Sequence, residues 1–128
     1  MCKLEYELFY QGQRYGLAWG KDIKGRMRGK KYFDGLIKTD RMKLLGRMEQ
    51  FADVGGLRDE GKFRRILGAK IPACEFKIHK RRLVGVMHKD VFVVCAGLDK
   101  TTDRDLRSDR ELNAAVRRVE TWLASTEK

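Results

Sequence analysis

One proline, Pro72, and three scattered cysteines are all that 128 residues offer of either type. Cys2, Cys74 and Cys95 form no CxxC pair and no Cys/His cluster at zinc spacing, which excludes a disulfide framework and a structural zinc site. Long apolar runs are missing too. The longest, Val91 to Leu98, is far short of the roughly 20 residues a membrane helix needs, and the opening Met-Cys-Lys-Leu-Glu lacks the apolar core of a signal peptide. These absences imply no membrane association and a reducing, cytoplasmic setting. No phosphate-binding glycine loop, HExxH, GxSxG or carboxylate pair occurs, so the familiar hydrolase and nucleotide-hydrolysing chemistries have no carrier, and nothing calls for a metal or cofactor. Internal repeats and low-complexity tracts are likewise lacking.

Positive charge is what the chain has in excess. Lys and Arg number 29 against 18 Asp and Glu, a net +11, which favours a polyanionic partner such as nucleic acid. The length suits one domain, residues 1–128, with a core that needs no covalent staples.

Residues 1–10 alternate Leu4, Tyr6, Leu8 and Tyr10 against charged neighbours, as a half-buried strand does, with Phe9 breaking the pattern and a turn at Gln11-Gly12-Gln13. Tyr15 to Trp19 is apolar. The stretch Lys21–Lys31 carries Lys21, Lys24, Arg26, Arg28, Lys30 and Lys31 with two glycines and reads as a basic loop able to follow a phosphate backbone. Tyr32 to Ile37 reads as a short helix. From Asp40, Met42, Leu44, Leu45, Met48, Phe51 and Ala52 recur at helical intervals, with Thr39 or Asp40 as the cap and Gly55-Gly56 as the stop. Phe63, Ile66 and Leu67 suggest a small apolar patch. Cys74–Ile78, Leu83–Met87 and Val91–Leu98 read as an antiparallel meander, joined at Lys80-Arg81-Arg82 and His88-Lys89-Asp90. The last strand, apolar almost throughout, belongs at the sheet's centre, covered on both faces. Ser108-Asp-Arg-Glu111 has capping-box spacing, and Leu112, Ala115, Val116, Val119, Trp122 and Leu123 form the stripe of a C-terminal helix.

The expected fold is therefore α+β: a four-stranded sheet, antiparallel but mixed once the N-terminal strand joins, with a helical hairpin on one face and a C-terminal helix. Lys77, His79, Lys80, Arg81 and Arg82 crowd one strand-turn-strand, and Lys100 follows the long apolar strand. Alternation along strands would leave such cations on an open face that holds phosphates. RNA can be cut there without a metal, because its own 2′-hydroxyl attacks the adjacent phosphorus when one group takes the proton and others stabilise the charged transition state. A lysine among cations gives up its proton more easily, and arginine offers fixed planar donors to phosphate oxygens.

Asp40-Arg-Met-Lys-Leu-Leu with its Gly55-Gly56-Leu57 ending, Glu75-Phe76-Lys77, Arg81-Arg82-Leu83, the run Val93 to Lys100 and the terminal amphipathic helix together resemble the RelE/ParE toxin superfamily, nearest to its HigB-like, phage-derived host-killing branch. The likeness spans roughly residues 32–120 and rests on order and spacing; residues 1–31 exceed it. It implies a RelE-like fold and the toxin of a type II toxin–antitoxin system, an endoribonuclease that cleaves mRNA in the ribosomal A site and is held inactive by a cognate antitoxin. By position, Lys77 corresponds to the strand lysine acting as base or phosphate anchor. Arg82, and after it Arg81, faces the scissile phosphate, Lys100 closes the last strand, and His79 is a proton-transfer candidate. Lys80, Arg81, Lys24, Arg26, Arg28 and Lys30 are the expected RNA contacts. Thr101 stands where a second lysine is usual, Leu98 replaces a Phe, and no Tyr follows Lys100. The rival readings are a ParE-type gyrase inhibitor and a non-catalytic RNA-binding module.

Overall fold

The computed structural model describes residues 5–59, 61–100 and 110–126. Its elements run β1 (Tyr6–Gln11), β2 (Gly16–Gly20), α1 (Arg28–Asp34), α2 (Lys38–Val54), β3 (Phe63–Arg65), β4 (Ala73–Ile78), β5 (Arg81–His88), β6 (Val91–Asp99) and α3 (Arg110–Thr126). The strands form one six-stranded mixed sheet in the order β1-β2-β6-β5-β4-β3. All neighbours are antiparallel except β2 and β6. The fold is α+β, as expected, with six strands in place of four.

The two additional strands left little periodic signal. In β2 all five residues are buried, so apolar and polar positions do not alternate. Three-residue β3 is too short to show a period, and of the apolar patch around it Ile66 is buried while Leu67 is exposed. In β1 the register shifts between Leu8 and Tyr10. This bulge accounts for Phe9, the residue that broke the alternation. Phe9 and Tyr10 turn to the hairpin side, where Phe9 stacks on Trp19 at 4.4 Å and the Tyr10 hydroxyl donates to Asp53 on α2 at 2.9 Å. Tyr6 and Leu8, expected inside, remain largely exposed; Leu4 lies outside the described residues.

The meander is as expected, with tighter turns. Ile78 pairs with Arg81 and His88 with Val91, so each loop has two residues. Lys89 and Asp90 both take positive φ, 48° and 65°, as a primed hairpin turn demands, and His79 has φ 50°. Arg81 and Arg82 are consequently strand residues rather than part of the connection. Central β6 contributes to two cores. Phe92 and Val94 join Leu44, Met48, Phe51 and Phe76 on the hairpin side. Val93 and Cys95 join Leu112, Val116, Val119 and Trp122 of α3 on the other.

Helix boundaries moved where glycines let elements approach. α1 begins at Arg28, inside the expected basic loop, and ends before Ile37. Gly29 lies so close to β6 that a Cβ there would meet Val94 Cγ1 at 2.7 Å, and a Cβ on Gly97 would overlap the Tyr32 ring. Close docking on β6, invisible as periodicity, thus selects the helical segment. α2 ends as expected at Gly55, left-handed with φ 92°. Its N-cap is Ile37, without a side-chain cap. Asp40 instead lies in the first turn and accepts from Arg81 Nε at 3.1 Å. The Ser108 cap of α3 lies outside the described residues. No described helix is long and apolar enough to cross a membrane.

Candidate nucleic-acid interface

Strand register brings the three principal sequence candidates to one place. Lys77 on β4 is directly opposite Arg82 on β5, and Arg82 is opposite Leu98 on β6. Lys100 follows Leu98 by two residues, hence on the same face, and its backbone N–H donates to the Lys80 carbonyl at 2.6 Å. All three belong to the face that α3 covers, at one end of the sheet. Glu75, two residues before Lys77, joins them, accepting from Arg64 Nε at 3.2 Å and forming an ion pair with Arg82 Nε at 3.1 Å. The Arg82 Nη1 also donates to the carbonyls of His79 and Arg81.

This group is not the open face the sequence suggested. Glu75 is fully buried, and Lys77, Arg82 and Lys100 are 5–6 % exposed. α1 and α2 pack on one side of the sheet, and α3 packs on the other against β5 and β6. The other candidates scatter. His79 and Lys80 are exposed at the hairpin tip. Arg81 faces away from Arg82, toward the helical hairpin, where it bonds Asp40 and, at 2.6 Å, Asp99. Hydrogen bonds to Asp99 and Asp40 raise its affinity for its proton further and engage its Nε and Nη1. Lys30 pairs with Asp34 at 2.7 Å.

The accessible cations gather elsewhere. Asp22 folds the basic loop around itself: its Oδ1 accepts from the backbone N–H groups of Lys24 and Arg26, both at 2.9 Å, and its Oδ2 from Arg26 Nε at 3.1 Å and Arg28 Nε at 3.4 Å. Gly25, at φ 78°, makes the turn. Burial raises the Asp22 carboxyl, but these hydrogen bonds outweigh burial and hold it below its usual range. So ordered, the loop stands across a cleft of about 320 Å³ from α3, whose Arg117 and Arg118 complete a rim with Lys21, Arg26 and Arg28. Ile23, Cys95, Ala114 and Trp122 supply apolar lining. Burial and the nearby Arg28 make Arg118 release its proton more easily than usual, despite the opposing pull of Asp22.

A second hollow of about 520 Å³ adjoins the first, sharing Arg28 and Arg118. β2 stops at Gly20, whereas β6 continues to Asp99; past Cys95 β6 loses its β2 partner and α1 packs beside it, and Ala96 and Gly97 line the hollow with Tyr32. The Tyr32 hydroxyl donates to Asp99 Oδ1 at 2.6 Å, and burial and this bond push its pKa well above the ordinary value. Arg117 and Arg118 were not among the sequence candidates. They occupy the polar side of α3, where cations ordinarily face solvent, and only the approach of the loop gives them a role. Among the described residues no three His, Cys, Asp or Glu side chains gather as metal ligands would. Comparison with protein-family models, curated proteins and solved structures gave no match.

Proposed function

We propose that this chain is a RelE/ParE-type toxin, a ribosome-dependent endoribonuclease that cuts mRNA by 2′-hydroxyl attack and is restrained by a cognate antitoxin. The observation that carries the reading is the shared position of Lys77, Arg82 and Lys100 on one face and one end of three adjacent strands. Architecture supports it as well. The mixed sheet of six strands carries α1 and α2 on one face and α3 on the other, the α+β layering this reading expects of four strands. In the reaction a lysine amine takes the 2′-hydroxyl proton and the new O2′–P bond displaces the 5′-oxygen. The products are a 2′,3′-cyclic phosphate and a 5′-hydroxyl that receives a proton from a neighbouring acid, for which exposed His79 is the candidate. Arg82 and Lys100 stabilise the added negative charge. Since the trio is buried in the free chain, catalysis on this reading requires the cluster to open on the ribosome.

That burial, with the Glu75–Arg82 ion pair, also favours a second reading, a non-catalytic RNA-binding module that uses the exposed arginine cleft. Induced expression in a bacterium, with growth and mRNA 5′ ends followed, separates the two. The nuclease gives growth arrest and new 5′-hydroxyl ends, both abolished in Lys77→Ala with Arg82→Ala, while the purified variant still melts cooperatively. Arrest without new ends rejects cleavage and leaves gyrase inhibition or simple RNA binding.

A further inference from the structure

The two connected hollows rimmed by Arg28 and Arg118 have a composition that the buried trio lacks: open access, cations on the rim and an apolar floor. Guanidinium groups predominate on the rim of the first, Arg26, Arg28, Arg117 and Arg118 beside Lys21, with Asp22 as the single carboxylate among the described residues. Arginine binds phosphate through paired donors and also lies flat on nucleobases. Ile23, 70 % exposed in the free chain, is an apolar side chain that water does not favour there but a base would cover. A volume of about 320 Å³ is at the small end of pockets that enclose ligands, roughly 300–1,000 Å³, and suits a single nucleotide.

We propose that this cleft is a binding site for single-stranded RNA, taking one base against Ile23 and Ala114 and gripping the phosphate that leads to the next nucleotide between Arg28 and Arg118. Those two arginines line both hollows, so a strand leaving the first passes them to enter the second, beside Tyr32, Ala96 and Gly97. The loop is already shaped for this. Four hydrogen bonds to the Asp22 carboxylate fix it, so little ordering cost falls on binding. An acidic peptide would meet the charge but leave the apolar floor unused. The inference deepens the RNA-directed reading above, and it stands whether or not the chain cuts what it binds.

The test uses the purified full chain without ribosomes. Fluorescence anisotropy of a labelled single-stranded RNA octamer is compared for wild type, Arg118→Glu, Ile23→Ser and Lys43→Glu, the last a charge change equal to that of Arg118→Glu at an exposed position on α2. AMP and inorganic phosphate serve as competitors. Arg118→Glu should weaken octamer binding about tenfold or more, the worth of one charge-assisted hydrogen bond with its partner reversed. It should also flatten the dependence of log K on log salt by about 0.7, one phosphate contact on a single strand. Ile23→Ser should weaken the octamer and AMP but leave phosphate unchanged, and Lys43→Glu should change octamer binding less than about twofold. Equal losses in Arg118→Glu and Lys43→Glu would mean diffuse charge and overturn the site. AMP binding as tightly as the octamer would identify a free nucleotide as the occupant and overturn the strand. Failure of the chain to cut messages in cells would leave every one of these binding results standing.

Discussion

Replacing Glu75 by Gln keeps the shape of a fully buried side chain and removes its charge from between two guanidinium groups, Arg82 at 3.1 Å and Arg64 at 3.2 Å. Breaking a buried ion pair from one side costs about 3–5 kcal/mol, because the remaining charge stays desolvated. Arg64 is less deeply buried and recovers part of its hydration, so most of the loss falls on Arg82. For a chain of this length each kcal/mol moves the midpoint by about 4 °C, and Glu75→Gln should therefore melt roughly 12–20 °C below wild type at pH 7. Circular dichroism melts and urea titrations measure this directly. A companion variant tests the cause. Glu75→Leu with Arg82→Met exchanges the pair for apolar side chains and should recover most of the stability, because an apolar replacement no longer incurs the desolvation of either ion. A loss below about 1 kcal/mol in Glu75→Gln, the value of an exposed pair, would refute the claim that this carboxylate organises the cluster. Stability regained in the double variant without regained mRNA cutting would tie Arg82 to chemistry beyond its structural pairing.

Three further outcomes follow from the packing. Gly97→Val should destabilise the chain by about 1–3 kcal/mol in urea titrations through collision with the Tyr32 ring, and the cost should largely vanish in a Tyr32→Ala background. Equal costs in both backgrounds would contradict the contact. Burial pushes the Cys95 thiol up to about 12, so native protein treated with iodoacetamide at pH 8 should leave Cys95 unmodified on peptide mapping, whereas urea-unfolded protein should be labelled there. Burial raises the Asp99 carboxyl, yet hydrogen bonds from Tyr32 and Arg81 outweigh it and leave the folded value below the ordinary one. A depressed folded value contributes stability above the unfolded pKa, about 4, and loses it as pH falls through the folded value. The stability gap between wild type and Asp99→Asn should therefore be constant from pH 7 to 5 and close below about pH 4; a gap independent of pH down to 3 would refute the assignment.

Residue patterns alone determined the α+β class, the long second helix with its glycine stop, the meander and the central position of β6. In each, burial on one face or on both leaves its period in the order of side chains. They also determined that the distinctive side chains of the chain are cations, whereas the placing of Lys77, Arg82 and Lys100 on one face came from strand register. Tertiary structure alone decided whether that face was open. There Lys77, Arg82 and Lys100 are buried around Glu75, and the turning of Arg81 away from Arg82 follows from a hairpin with two loop residues rather than three. β2 escaped because uniform burial erases alternation, and α1 shifted because Gly29 and Gly97 allow close docking on β6, a contact between positions far apart in the chain. The arginine cleft has the same origin. Arg26 and Arg28 are separated from Arg117 and Arg118 by about ninety positions, and no local pattern encodes their meeting across the end of β2.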